Sequence, residues 1–118
     1  MSLDVYLYAP TECEHCGKPS KSTEVLYTSN ITHNLSGMAD AAGLYDVLWR
    51  PDERFYTHAK QLIPPLKSGL ARLKAHAADY TAMNPKNGWG KYEYLVDFVE
   101  NYLQACKSYP KSYVIASR

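Results

Sequence analysis

Residues 3–9 of the chain are Leu-Asp-Val-Tyr-Leu-Tyr-Ala, in which every second residue is aliphatic. A period of two predicts a β-strand with one buried face, made here by Leu3, Val5 and Leu7. Pro10 is expected to end this strand, because proline lacks the amide hydrogen that a sheet uses. The start of the chain therefore predicts a fold that contains a sheet.

Two more strands are predicted, one close behind the first and one at the end of the chain. The segment 24–32 places three apolar side chains on one face: Val25, Tyr27 and Ile31. The first two strands are expected to pair antiparallel across a polar loop at 11–22. A last strand at 112–116 is expected to lie beside the first.

Helical patterns fill the middle of the chain. A short helix is predicted from Asn34 or Ser36, either of which can cap it, to Ala42, with Gly43 as its stop. Weaker helical stretches follow in two segments: 44–49 and 53–63.

Two long amphipathic helices are predicted at about 65–82 and 91–107. Pro64 and Pro65 are expected to break the chain before the first of them, since proline suits only the first turn of a helix. Three strands with three or four helices in one domain, residues 1–118, predict an α+β fold. The helices would pack on one face of a small antiparallel sheet.

Composition excludes several classes of function. The net charge is +1 and the basic residues are scattered, which argues against a nucleic-acid partner. The apolar runs are too short to span a membrane, and the first residues lack the features of a signal peptide. With three cysteines and no disulfide framework, the expected location is the cytoplasm.

The sequence Cys13-Glu-His-Cys16-Gly-Lys resembles a zinc knuckle, in which two thiolates on a tight turn face one metal ion. Structural zinc takes four ligands, and His33 is the preferred third because the second strand should run back past the turn. The other candidate ligands are His58, His76, Cys106, Glu12 and Glu14.

Two alternatives compete with zinc. A redox dithiol normally opens a helix, which Gly17 and Pro19 disfavour here. Two free thiols in a surface turn are the other alternative. Cys106 lies on the apolar face of the last predicted helix and is expected to be a buried, unreactive thiol.

The segment Asn30-Ile-Thr-His-Asn34 gathers polar groups at the end of a predicted strand, where sites are commonly built. Asn30, His33 and Asn34 are therefore candidate ligand-binding residues. The structural alternatives are a hydrogen-bonded core histidine and a helix-capping asparagine. No spacing requires a Cys–His hydrolase, and we predict no catalytic residue.

Two tryptophan-bearing loops complete the candidate site. In Asn84-Pro-Lys-Asn-Gly-Trp-Gly90, glycines would let the backbone approach a ligand closely, although the P-loop pattern is missing. Trp49-Arg50-Pro51 forms the second loop. Plugging the ends of the core is the structural alternative for both tryptophans. The binding residues predicted here are Trp49, Arg50, Asn84, Asn87, Trp89 and Tyr92.

Taken together, these stretches resemble a family of short proteins from bacteria and bacteriophages that has no assigned activity. The resembling pieces are Asp-Val-Tyr-Leu-Tyr at 4–8, Asn-Ile-Thr-His-Asn-Leu at 30–35, Met-Ala at 38–39, Leu-Trp-Arg-Pro at 48–51 and Asn-Pro-Lys-Asn-Gly-Trp-Gly-Lys-Tyr at 84–92. The resemblance implies a phage or prophage origin and, if so, the cytoplasm of the host. More distant relatives keep Asn-Ile-Thr without the cysteine pair, which implies that any metal is an accessory.

A non-enzymatic binding protein is the leading prediction. Its ligand would be a small polar, nucleotide-like molecule or a host protein, bound through the 30–34 strand end and the tryptophan loops. The first alternative is a zinc-stabilised interaction module, with a homodimer left open. The second is a small metal- or thiol-dependent enzyme that uses His33.

Overall fold

The computed structural model describes residues 2–12, 19–86, 88 and 90–118, and gives side-chain burial for all of these except 10–12 and 19–23. The strands and α-helices of the described residues are β1 (Ser2–Glu12), β2 (Pro19–Thr32), α1 (Ser36–Ala41), α2 (Tyr45–Trp49), α3 (Ala59–Ala75), α4 (Ala77–Thr81), α5 (Tyr92–Ser108) and β3 (Tyr113–Ser117). Two 3-10 turns, His33–Leu35 and Pro51–Arg54, connect them. None of the described helices is both long enough and apolar enough to cross a membrane.

The predicted α+β fold is confirmed. The strands form one antiparallel sheet in the order β2-β1-β3, with Leu3 opposite Ile31 and Val5 opposite Ala116. The alternation in the first strand therefore puts its aliphatic residues on the covered face of the sheet, with α3 and α5 as the long helices of the core. The largest fully buried side chains are Leu3, Val5, Leu7, Leu35, Leu44, Leu48, Leu62, Leu66, Leu73, Leu95, Val99 and Tyr102.

Val25 is an exception to the predicted alternation, because 44% of its surface is exposed. Leu7 pairs with Tyr27, but Tyr8 pairs with Val25, so the register shifts between these two pairs. An extra residue in one strand is a β-bulge, and it reverses which face the residues beyond it occupy. The bulge places Val25 on the open face beside Tyr8.

The first two strands are longer than predicted. β1 continues through Pro10 to Glu12, and β2 begins at Pro19, so the predicted loop at 11–22 is shorter than expected. β3 pairs with β1 only as far as Tyr8. Beyond that pair, no described strand lies along this edge of β1, and proline is tolerated at such an edge. Residues 13–18, which include both cysteines of the motif, lie outside the described residues.

The expected break at Pro64 and Pro65 is wrong, because α3 runs through both prolines. The helix begins before them at Ala59, where His58 and Gln61 form a capping box. Gln61 Oε1 accepts a hydrogen bond from His58 N at 2.9 Å, which fixes the first turn. Each proline removes one helical hydrogen bond, because it has no amide hydrogen. Burial of Ala59, Leu62 and Leu66, which lie on both sides of the prolines, offsets this loss.

Other boundaries moved by smaller amounts. The predicted helix at 65–82 is present as α3 and α4, which are separated at His76. The weaker stretch at 53–63 is not one helix: the 3-10 turn ends at Phe55, whose φ of 58° is left-handed. Gly43 has a φ of 77° directly after the first helix, which confirms it as the stop.

Candidate functional site

A cavity of about 360 Å³ lies where the end of β2 faces the glycine loop that precedes α5. Two of the segments singled out by sequence, the Asn-Ile-Thr strand end and the glycine loop, therefore meet in the folded chain. The described residues that line the cavity are Asn30, Ile31, Thr32, Leu35, Gly88, Gly90 and Tyr94.

Asn30 is held in one orientation at this cavity. Its Nδ2 donates hydrogen bonds to Ser2 Oγ at 2.8 Å and to Asp4 Oδ1 at 2.6 Å. An ionised carboxylate only accepts hydrogen bonds, so the atom of the amide that faces Asp4 must be the nitrogen. Pairing of Asp4 with Asn30 across the antiparallel strands places the two side chains side by side.

Thr32, rather than Asn34, caps the turn after β2. Thr32 Oγ1 accepts hydrogen bonds from Asn34 N at 3.3 Å and from Asn34 Nδ2 at 3.2 Å. It is the N-cap of the 3-10 turn, while α1 begins without a side-chain cap. The prediction that Asn34 or Ser36 caps the helix is wrong, because a 3-10 turn intervenes and takes the cap. Asn34 is exposed and is not among the residues that line the cavity.

Gly90 brings its backbone close to the strand end. A Cβ atom built on Gly90 would lie 3.0 Å from Leu35 Cγ and 3.1 Å from Thr32 Cγ2. The φ angles of Gly88 and Gly90 are 77° and 144°, which favour glycine. The glycines therefore form a wall of the cavity that a larger residue would fill or distort.

Asn84 and Tyr92 are predicted ligand residues, but in the structure their hydrogen bonds hold the glycine loop and α5 in place. Asn84 Oδ1 accepts from Tyr92 N at 2.8 Å, at the first turn of α5. Tyr92 Oη donates to Leu73 O at 2.6 Å and so joins α5 to α3. Neither residue is among those that line the cavity. The other predicted members of this loop, Asn87 and Trp89, lie outside the described residues.

Tyr94 lines the cavity and was missed by sequence reasoning, which considered only its neighbour Tyr92. The side chain of Tyr94 is 54% exposed, whereas Tyr92 is half-buried. Residues two apart on a helix face different directions, so one tyrosine packs inward and the other reaches the cavity. The signal was available: Tyr94 is an aromatic residue off the apolar face of α5.

His33 and Trp49 contact each other, but neither is among the residues that line the cavity. Trp49 is 2% exposed, and its Nε1 donates to His33 Nδ1 at 2.8 Å. The ring of Tyr45 packs edge-on against Trp49 with centroids 5.8 Å apart. A buried indole needs an acceptor for its N–H, and His33 supplies it. This contact agrees with the structural alternative for both residues.

Arg50, the remaining predicted ligand residue, pairs with its own neighbours. Its Nε lies 3.4 Å from Tyr45 Oη, and its Nη1 lies 3.5 Å from Glu53 Oε1. The guanidinium is therefore turned toward α2 and the following 3-10 turn, and Arg50 is not among the cavity residues.

The strand register bears on the proposed zinc ligands. Glu12 pairs with Pro19 at one end of the hairpin, and Ser2 pairs with Thr32 at the other. At about 3.3 Å per residue, these ends are roughly 30 Å apart. His33 follows Thr32 directly, whereas the cysteine pair lies between Glu12 and Pro19. The register therefore argues against His33 as a zinc ligand within its own chain, although the cysteine pair itself lies outside the described residues.

The hydrogen bond from Trp49 also argues against His33 as a zinc ligand. Because Nδ1 accepts a hydrogen bond from Trp49, the neutral ring carries its proton on Nε2. A metal at Nε2 would require this hydrogen bond to be lost. Across the described residues, no group of three or more His, Cys, Asp or Glu side chains could hold a metal ion. Cys13 and Cys16 lie outside the described residues, so zinc at the cysteine motif stays a prediction.

The other candidate ligands are placed as follows. Cys106 is fully buried, and burial raises the pKa of its thiol from 9.0 to about 12. His58 Nδ1 lies 2.8 Å from Thr57 Oγ1 at the start of α3. His76 is exposed, with its Nδ1 3.8 Å from Asp79 Oδ2. The expected burial of Cys106 is confirmed.

A second concave surface lies at the other edge of the sheet and was not predicted. Its volume is also about 360 Å³. Phe55 dominates it, because 84% of this side chain is exposed in the left-handed conformation described above. The residues that line this surface are Asp52, Phe55, Tyr56, Thr57, Tyr113, Val114 and Ile115.

Compared with known proteins, the chain matches no family model, no curated protein and no solved structure. The resemblance to bacterial and phage proteins therefore stays a prediction.

Proposed function

We propose that this protein binds a small polar ligand in the cavity between the end of β2 and the glycine loop, without transforming it. The observation that carries the proposal is the convergence of Asn30 and Thr32 with Gly88 and Gly90 around one opening. Its volume of about 360 Å³ is at the lower end of the range for small-molecule sites.

The cavity has the composition that small-molecule sites share. Apolar surface comes from Ile31, Leu35 and the ring of Tyr94, and a few fixed polar groups set the orientation of a ligand. Asn30 is fixed by two hydrogen bonds from its own amide, so little side-chain entropy is lost when it contacts a ligand. Trp89 and Asn87 flank Gly88 in the sequence and stay part of the proposed site.

Support for the alternatives is weaker. In an enzyme that uses His33 Nδ1 as a base, the hydrogen bond from Trp49 would have to break. Cys106, the one cysteine among the described residues, is buried as a neutral thiol. A protein partner has its best support in the exposed surface around Phe55, which lies at the opposite edge of the sheet from Asn30. A zinc-stabilised module and a phage-type origin remain proposals that rest on the sequence.

Thermal-shift screening against a broad panel of small polar molecules tests the proposal. A ligand at a hundred times its Kd stabilises the folded state by about 2.7 kcal/mol and raises the midpoint of unfolding. We expect Asn30→Ala and Tyr94→Ala to remove the shift.

Tyr109→Ala is the matched control, since Tyr109 is also an exposed tyrosine, at the far end of α5. It should leave the shift intact. A shift that survives both Asn30→Ala and Tyr94→Ala would place the ligand elsewhere, and a panel without any shift would refute the proposal.

A further inference from the structure

The direction of hydrogen bonding at Asn30 restricts the ligand. Both N–H groups of Nδ2 are already engaged, by Ser2 Oγ and Asp4 Oδ1. The atom that remains is the carbonyl oxygen Oδ1, to which no described residue donates a side-chain hydrogen bond. Asn30 therefore offers an acceptor, and a ligand must bring a donor to it.

Thr32 offers the opposite polarity beside it. Its Oγ1 already accepts two hydrogen bonds from Asn34, through N at 3.3 Å and Nδ2 at 3.2 Å. An oxygen with both lone pairs engaged still carries a hydroxyl hydrogen, so Thr32 can donate. The cavity thus presents an acceptor and a donor two residues apart on one strand, which place their side chains on the same face.

The charge around the cavity disfavours anions. All the described residues that line it are uncharged. The carboxylate of Asp4 contacts one of these lining residues, since its Oδ1 lies 2.6 Å from Asn30 Nδ2. An anionic ligand would meet an acceptor oxygen with a negative charge behind it, and no lysine or arginine is among the described lining residues to compensate.

From these observations, and resting on the proposed function above, we infer that the ligand is an uncharged, flat heterocycle of the nucleobase class. Its edge would carry an N–H donor next to an acceptor, matching Asn30 Oδ1 and the hydroxyl of Thr32. Its face would lie against the exposed ring of Tyr94 and the side-chain-free wall of Gly88 and Gly90. A nucleoside fits this description, and its phosphorylated forms do not.

Paired titrations test the inference on the full chain. Calorimetry at fixed ionic strength compares the Kd values of adenosine and guanosine with those of their 5′-monophosphates. It also compares the Kd values of the free nucleobases with that of nicotinamide, a ring that bears an amide. We expect at least one nucleoside or base to bind about tenfold more tightly than its monophosphate, which corresponds to about 1.4 kcal/mol.

Asp4→Asn provides the diagnostic variant. It keeps the size of the side chain and a partner for Asn30, but it removes the charge and lets the Asn30 amide turn over. The preference for the uncharged ligand should fall at least threefold. Asp79→Asn, which changes the net charge equally at an exposed position on α4, should leave the preference unchanged. Unaltered midpoints of unfolding without ligand show that both variants fold.

The outcomes separate the two proposals. If a monophosphate binds as tightly as its nucleoside, or if Asp4→Asn leaves the preference unaltered, the inference is overturned while a binding function stands. If no base or nucleoside binds, but another molecule raises the midpoint of unfolding in a way that depends on Asn30, the inference again fails while the proposed function stands. If nothing in either panel binds, the proposed function fails with it.

Discussion

Cys106 lies in the core on α5, where no part of its surface is exposed. Burial of the thiol raises its pKa from 9.0 to about 12. Since the thiolate is the reactive form, this shift alone lowers the reactive fraction at pH 8 by about a thousandfold. We expect Cys106 to react with a disulfide reagent at least a thousandfold more slowly in the folded protein than in guanidinium.

The measurement needs the double variant Cys13→Ser with Cys16→Ser, so that Cys106 is the one thiol counted. Rapid stoichiometric labelling of this variant under native conditions would contradict the burial of Cys106. The same experiment on the unfolded chain provides the full signal for comparison.

Single residues show how far the sequence predicts a site. The cluster of polar residues at the end of the second predicted strand predicts Asn30 as a site residue, and the structure does place it at a cavity. The same pattern predicts His33, yet its ring accepts a hydrogen bond from the indole of Trp49. The two cases are alike in sequence. The difference is decided by a tertiary neighbour sixteen positions away, which no local pattern reveals.

At the scale of the elements, Gly69 explains how α3 packs against the segment before α2. A Cβ atom on Gly69 would overlap the side chain of Leu44, which is fully buried. Alanine gains about 1 kcal/mol in helix propensity over glycine, but overpacking a core costs about 1–3 kcal/mol. We therefore expect Gly69→Ala to lower the free energy of unfolding by up to about 2 kcal/mol, measured by urea denaturation.

Gly37 in α1 is the matched control. A Cβ atom at Gly37 would meet nothing within 4 Å, and its φ is not positive. Gly37→Ala should therefore raise the free energy of unfolding by up to about 1 kcal/mol. If both substitutions stabilised the protein, the close contact between Leu44 and Gly69 would be refuted.

The prolines of α3 illustrate why element boundaries were harder to predict than element types. A pair of prolines locally favours a break, and the sequence offers no stronger local signal at 59–63. The start of the helix is fixed by hydrogen bonds from distant parts of the chain: Ala59 N donates to Ser112 O at 2.9 Å, and Lys60 N donates to Pro110 O at 3.0 Å. Helical periodicity predicts that a helix is present, whereas long-range contacts decide where it begins.

At the scale of the whole molecule, the length of the hairpin separates Glu12 and Pro19, which flank the cysteine motif in the sequence, from the proposed ligand cavity. Metal analysis of the purified protein should find zinc that is lost in Cys13→Ser, if the motif binds metal as predicted. His33→Gln should keep the zinc, because His33 lies at the opposite end of the hairpin. The zinc prediction would be refuted if the wild-type protein contained no metal and had the same free energy of unfolding as Cys13→Ser.

Light scattering completes this test. A zinc ion shared between two chains could bring His33 of one chain to the cysteines of another. In that case His33→Gln would release the metal and convert a dimer to a monomer together. Loss of zinc from a protein that is monomeric throughout would instead contradict the strand register.

The sequence by itself determined the class of the fold and the pairing of its strands. The alternation of residues 3–9 and the spacing of the long helices are local periodicities, and burial of the apolar face they create requires helices laid on a sheet. The tertiary structure alone decided which of the polar residues meet. The bulge at Tyr8, the hydrogen bond between His33 and Trp49, and the approach of Gly90 to Thr32 depend on neighbours far along the chain. Side-chain chemistry names candidates, but a site exists only where the packing of distant segments leaves such groups around one opening.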